Sequence, residues 1–81
     1  MVREIVSTTL EEIRKTFKPH VTQEELARRA DMPLSTYRNA EKGKNVSYTT
    51  AKAIFIAINK IKEERGEEQL ARVEDLELKL V

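Results

Sequence analysis

The stretch "TQEELARRADMPLSTYRNAEKG", Thr22 to Gly43, holds two short helical patterns separated only by Asp31, Met32 and Pro33. Thr22 stands as the N-cap of the first. Glu25, at its third helical position, can reach back to the cap amide, and Val21 before the cap can staple onto Leu26. Leu26, Ala27 and Ala30 form the inner stripe. Asp31 falls where the chain must turn, at a position that suits Gly best and that Asp is among the few residues to tolerate. Pro33 pre-sets its backbone for the next helix. That helix runs from Leu34 to Lys42 with Tyr37 and Ala40 facing inward, and Gly43 supplies its stop. Helices joined this tightly cross steeply, at about 90–120°. Such a crossing needs small residues where the axes approach, which places Ala27 and Ala40 beside the bulky Tyr37 as an exchange of volume between neighbouring core sites. The other reading sends the Tyr37 hydroxyl to the rim.

Working outward, residues 1–7 are β-branched and read as an extended arm or short strand. A helix follows, capped by Thr8 or Thr9, with Leu10, Ile13 and Phe17 on one face, and Pro19 closes it by disfavouring helical geometry at Lys18. Beyond Gly43, Ser47 can cap a longer helix whose apolar positions Ala51, Ile54, Phe55, Ile58 and Ile61 recur at three and four, reaching Arg65 before Gly66. Ile56 widens that stripe, and is read as a broader core face in preference to a dimer contact. The tail begins helix-like through Leu70 and Val73. Leu76, Leu78 and Leu80 then alternate with Glu77 and Lys79 like a half-buried strand that could pair with residues 2–6, within the subunit or across a dimer. The expected fold is all-α: a compact domain of four to five helices, with short β-strands possible at the termini. One domain fills residues 1–81, with a core over 8–65, an arm over 1–7 and a C-terminal extension over 67–81 available for dimerisation.

Composition narrows the function. Eighty-one residues support only a small core, and Phe17, Tyr37, Tyr48 and Phe55 are its only aromatics. The chain has no Cys, which removes disulfides and thiolate metal sites and permits a reducing compartment. No apolar run reaches the roughly 20 residues of a membrane span and the N-terminus lacks a signal-peptide stretch, so a cytoplasmic protein is expected. The net charge of +1 divides unevenly: +1 over residues 1–20, +3 over 21–60 and −3 over 61–81. A polyanion would meet the basic middle. Glu63, Glu64, Glu67 and Glu68 read as a solvated helix face. His20 has no second ligand nearby and reads as a loop residue. With no Gly-rich phosphate loop and no nucleophile–base set, neither enzyme activity nor any cofactor, metal or small-molecule ligand is expected.

The stretch from Val21 to Ile58 resembles the helix-turn-helix of the phage repressor and Cro-like family of DNA-binding proteins. Gln23 matches that family's glutamine at the start of its second helix, Leu26 and Ala27 its Leu-Ala pair, Glu41 and Gly43 its Glu-x-Gly, and Ile54 and Ile58 its apolar pair in helix four. Asp31, Pro33 and Ala40 depart from it, standing where the family usually has Gly, Ser or Thr, and a larger aliphatic residue. Pro33 thereby removes a side-chain cap worth about 1 kcal/mol.

The resemblance implies a compact lambda-repressor-like domain that binds double-stranded DNA with helix 34–42 in the major groove. It places Leu34, Ser35, Arg38 and Asn39 at the base-reading positions. Their chemistry agrees: Arg38 can donate two bonds to guanine O6 and N7, Asn39 can pair with adenine N7 and N6, Ser35 can bond several bases, and Leu34 can press on a thymine methyl. Phosphate contacts are expected from Gln23, Thr36, Lys42, Lys44 and Asn45, with Lys52 further along and Arg28 and Arg29 as weaker candidates. Glu41 would be repelled by DNA; the resemblance makes it structural, with Arg14 a candidate ion-pair partner. The expected function is a sequence-specific transcriptional regulator, most simply a repressor, acting as a homodimer. The alternative is a protein-interaction module on the same fold, such as the antitoxin of a toxin and antitoxin pair, with the acidic tail and the Ile56 face meeting a protein partner.

Overall fold

The computed structural model describes residues 9–81. The expected N-terminal arm, its pairing with the tail and the Thr8 cap lie outside the described residues. Four α-helices follow one another: α1 (Thr9–Thr16), α2 (Gln23–Arg29), α3 (Leu34–Glu41) and α4 (Tyr48–Glu64). A 3₁₀ turn, Val73–Leu76, comes last.

The start of α2 follows half of the expected capping box. Thr22 accepts the Glu25 amide at 3.0 Å, and Val21 and Leu26 are both buried. The Glu25 carboxylate does not return to the Thr22 amide; it pairs with Arg28 and Arg29 one turn on. Two cations in reach outweigh one backbone amide, and the Arg29 hydrogen bond, against a desolvation cost, holds the Glu25 carboxyl below the usual carboxylate range. Pro33 caps α3 without a side-chain hydrogen bond, as its ring dictates, and Ser47 caps α4 by accepting the Thr50 amide.

The C-termini of α2, α3 and α4 share one closing geometry. Asp31, Gly43 and Gly66 all take positive φ, at 59°, 84° and 71°. In α2 the amides of Asp31 and Met32 return to the carbonyls of Arg28 and Ala27; Gly43 and Lys44 return to Ala40 and Asn39; Gly66 and Glu67 return to Glu63 and Lys62. This is the Schellman pattern, in which a left-handed residue lets the following amides satisfy the last free carbonyls. Asp31 therefore does the work of a glycine in the hinge.

The core collects Leu10 and Phe17 from α1 and its exit, Leu26 and Ala27, Tyr37 and Ala40, Val46, and Ala51, Ile54, Ala57, Ile58 and Ile61 from α4. Tyr37, Ala27 and Ala40 are all buried in the one core. The Tyr37 hydroxyl turns inward to Glu41, not to the rim. Ile56 corrects the sequence reading: it is 55% exposed, and Phe55 packs at the core margin instead. Ile54, Ile58 and Ile61 already fill the inner face of α4, and Ile56, two residues from both Ile54 and Ile58, points away from them.

The tail also differs from its expected helix-then-strand form. Residues 67–72 are irregular, held by Asn59, whose carboxamide donates to the Leu70 carbonyl at 3.1 Å and accepts its amide at 2.7 Å. Leu76 then closes the core, fully buried, while Asp75 accepts the amides of Ala71 and Arg72. The Thr9 hydroxyl donates to Glu77 at 2.7 Å. In place of a strand, a single parallel bridge joins Leu80 to Val46. The Val46 amide donates to Lys79 and its carbonyl accepts from Val81. Leu76 belongs to the 3₁₀ turn and Glu77 takes a positive φ of 56°, so the leucines do not continue as one strand, and among the described residues Val46 is the one that bridges to the tail.

Replacing Leu76 with Ala should lower the unfolding free energy by about 2–5 kcal/mol in urea titrations, because a fully buried site cannot refill from solvent. A loss below about 1 kcal/mol would show the tail to be a loose appendage.

Candidate nucleic-acid interface

The orientation of α3 is set from inside, at Glu41. This last residue of α3 is 5% exposed, and an anion at a helix C-terminus faces an unfavourable dipole. Its carboxylate is nonetheless fully engaged. Arg14 of α1 donates Nε to Oε2 and Nη2 to Oε1 at 3.2 Å, the Tyr37 hydroxyl donates to Oε2 at 2.6 Å, and Gln23 of α2 donates Nε2 to Oε1 at 2.9 Å. Arg14 also donates Nη1 to the Val21 carbonyl at 3.1 Å. One carboxylate thus ties α1 and the first residue of α2 to the end of α3.

Burial works against the charged form of Glu41, but the hydrogen bonds from Arg14, Tyr37 and Gln23 outweigh it and hold the carboxyl below its ordinary range. The bond to Glu41 raises Arg14, and burial together with the Glu41 bond pushes the Tyr37 phenol well up, so it stays a donor.

With its inner side occupied by Tyr37, Ala40 and Glu41, α3 presents Ser35, Arg38 and Asn39 to solvent. These three expected base-reading residues share one exposed face. Leu34 is half-buried against the core and Thr36 is half-buried beside it, so both offer less free surface. Of the expected phosphate contacts, Lys42, Lys44 and Asn45 are exposed in the segment leaving α3, just before Val46 is pinned by the tail. Gln23 is half-buried: besides Glu41 it accepts Arg38 Nε on Oε1 at 3.3 Å. Sequence reasoning had no signal for that link, which joins residues 15 apart through a turn. Lys52 is exposed on α4. Arg28 pairs with Glu25, and Arg29 with Glu25 and with Glu64 of α4 at 3.1 Å, all as surface ion pairs.

Replacing Glu41 with Gln should cost about 3 kcal/mol at pH 7, since it leaves the part-buried Arg14 without its counter-ion. The Glu41 pKa is lower in the folded than in the unfolded chain, so its stabilisation is complete above about pH 4.3 and disappears as pH falls through the folded value. The wild-type and E41Q unfolding curves should therefore converge as pH falls through that lowered folded value, and a gap that stays constant with pH would contradict the ion pair.

No curated protein sequence and no solved structure matches the chain. A family model described as helix-turn-helix matches residues 10–65, from α1 through the end of α4 and over the hinge, the buried Glu41 and the exposed face of α3. The chain belongs to the phage repressor and Cro-like helix-turn-helix family, as a DNA-binding regulatory domain.

Proposed function

We propose that the protein is a sequence-specific transcriptional repressor that reads a near-palindromic site as a homodimer, with α3 in the major groove. The observation that carries this is the division of α3: a core-facing side locked by Glu41, and an outer side with Ser35, Arg38 and Asn39 exposed to solvent. Side chains near the N-terminal end of a helix, on its outer face, are those that reach base edges. Arg and Asn are the residues whose side chains match guanine and adenine bidentately. In this reading Leu34 adds an apolar contact, while Thr36, Lys42, Lys44, Asn45 and Gln23, through its place at the N-terminus of α2, meet phosphates.

The site's size supports the homodimer. One helix of eight residues contacts a few base pairs, and two copies about 34 Å apart read successive turns of one groove face. The body measures 38 × 28 × 23 Å, which allows two copies to sit side by side at that spacing. The exposed apolar face of α4, Tyr48, Ala53 and Ile56 in a shallow groove with Thr49 and Lys52, is our candidate for the contact between copies. The same face could serve a protein partner in the antitoxin reading.

Selection of bound sequences from a random DNA pool at stated salt should recover a palindrome, and no enrichment at low salt would defeat the proposal. Arg38→Ala and Asn39→Ala should each cost about 1–3 kcal/mol of operator discrimination with the fold intact by circular dichroism. Lys44→Ala should instead weaken all sequences alike and lower the salt slope of log K by about one. Sedimentation of Ile56→Asp should show a folded monomer; an unchanged dimer would move the contact elsewhere.

A further inference from the structure

We propose that Gln23 is a positioning residue for sequence recognition: it holds Arg38 by its Nε and leaves the terminal fork of the guanidinium aimed outward for a guanine. The proposal rests on the reading of Arg38 as a base contact, and it assigns to Gln23 a role beyond phosphate binding.

The chemistry of the three partners fixes the arrangement. An ionised carboxylate only accepts hydrogen bonds and a guanidinium only donates them, whereas a carboxamide does both from opposite ends. Glu41, kept ionised by Arg14, therefore faces the Gln23 amide nitrogen, at 2.9 Å. The Gln23 oxygen is left facing Arg38, whose Nε lies at 3.3 Å. Only one of the two orientations of the amide satisfies both neighbours. Because Glu41 is buried and carries bonds from Arg14 and Tyr37 as well, the inner end of this chain is anchored in the core while its outer end sits on the exposed face of α3.

The choice of Nε matters. Arg38 has five N–H donors, and the bond to Gln23 takes one of them on the side of the guanidinium. Both terminal nitrogens remain for the paired donation to O6 and N7 that distinguishes guanine. A long exposed side chain held in this way has surrendered part of its rotamer freedom before DNA arrives, so less is lost on binding. The gain appears as preference for one base, since a merely closer positive charge would favour all sequences equally.

The test measures base preference on a panel of operators carrying all four bases at each position, with the full chain and the variants Gln23→Met, Arg38→Ala and their combination. Arg38→Ala identifies the position that this residue reads. Gln23→Met should then lose about three- to tenfold of the preference at that same position, keep the preferences elsewhere, and add little when Arg38 is already Ala, the non-additivity expected of residues in contact. Gln23→Ala serves as the second variant if Met disturbs packing, and thermal unfolding of each variant reports the fold. A uniform loss of affinity with base preferences intact would overturn the inference and leave Gln23 a phosphate contact only. If Arg38→Ala itself leaves every preference unchanged, the failure lies in the assignment of Arg38, and the inference falls with it.

Discussion

The carboxylate of Glu41 is the constraint on which the rest of the structure depends. A charge this deep in so small a domain is tolerated only when counter-ion and hydrogen bonds replace the water it has lost. Arg14, Tyr37 and Gln23 supply them from different parts of the chain, so the carboxylate is satisfied only when α1, α2 and α3 are in one mutual arrangement. An apolar core of Leu, Ile and Ala would permit several sliding arrangements of short helices. The buried charge selects one.

The hinge makes the complementary contribution from the backbone. Helices α2 and α3 have seven and eight residues, below the length at which an isolated helix is stable in water. Their ends are therefore determined by caps and tertiary contacts. The left-handed turns at Asp31 and Gly43 satisfy the last carbonyls of each helix. Asp31 pays a steric cost that glycine would not, and Pro33 offers no side-chain cap, so the placement of α3 relies on its buried residues Tyr37, Ala40 and Glu41.

These local devices were legible in the sequence because each is written in neighbouring residues: Thr22 three before Glu25, Gly after the periodic stretch, Ser47 before an amphipathic run. What was not legible depends on residues brought together by the fold. Glu25 looks like half of a capping box, yet Arg28 and Arg29 capture it. Ile56 looks like core by composition, and only the saturation of the inner face by Ile54, Ile58 and Ile61 leaves it outside. The tail alternates leucines in sequence, but the 3₁₀ turn at Val73–Leu76 and the left-handed Glu77 break the strand that the alternation suggests. The outer face of α3 was readable through the family resemblance, with which the chemistry of Ser35, Arg38 and Asn39 agrees. The bond from Arg38 to Gln23 was not, since nothing in a sequence signals a contact across a turn between two polar surface residues.

In the proposed reading α3, eight residues long, has to serve the core and the groove at once, and the structure separates its buried and exposed sides by angle around the helix. Tyr37, Ala40 and Glu41 are committed to the interior, so substitutions there act on the whole domain. Ser35, Arg38 and Asn39 touch little of the protein, so substitutions there leave the fold alone. That separation lets one scaffold carry different outward residues. It also carries a limitation, because an outward side chain with no support is poorly aimed. The Gln23 carboxamide lies at the boundary between the two sides, bonded to a buried anion at one end and to an exposed cation at the other. Through it the rigidity imposed by Glu41 reaches one side chain of the outer face without burying that side chain, and the charge that orders the core also orders the surface proposed to meet DNA.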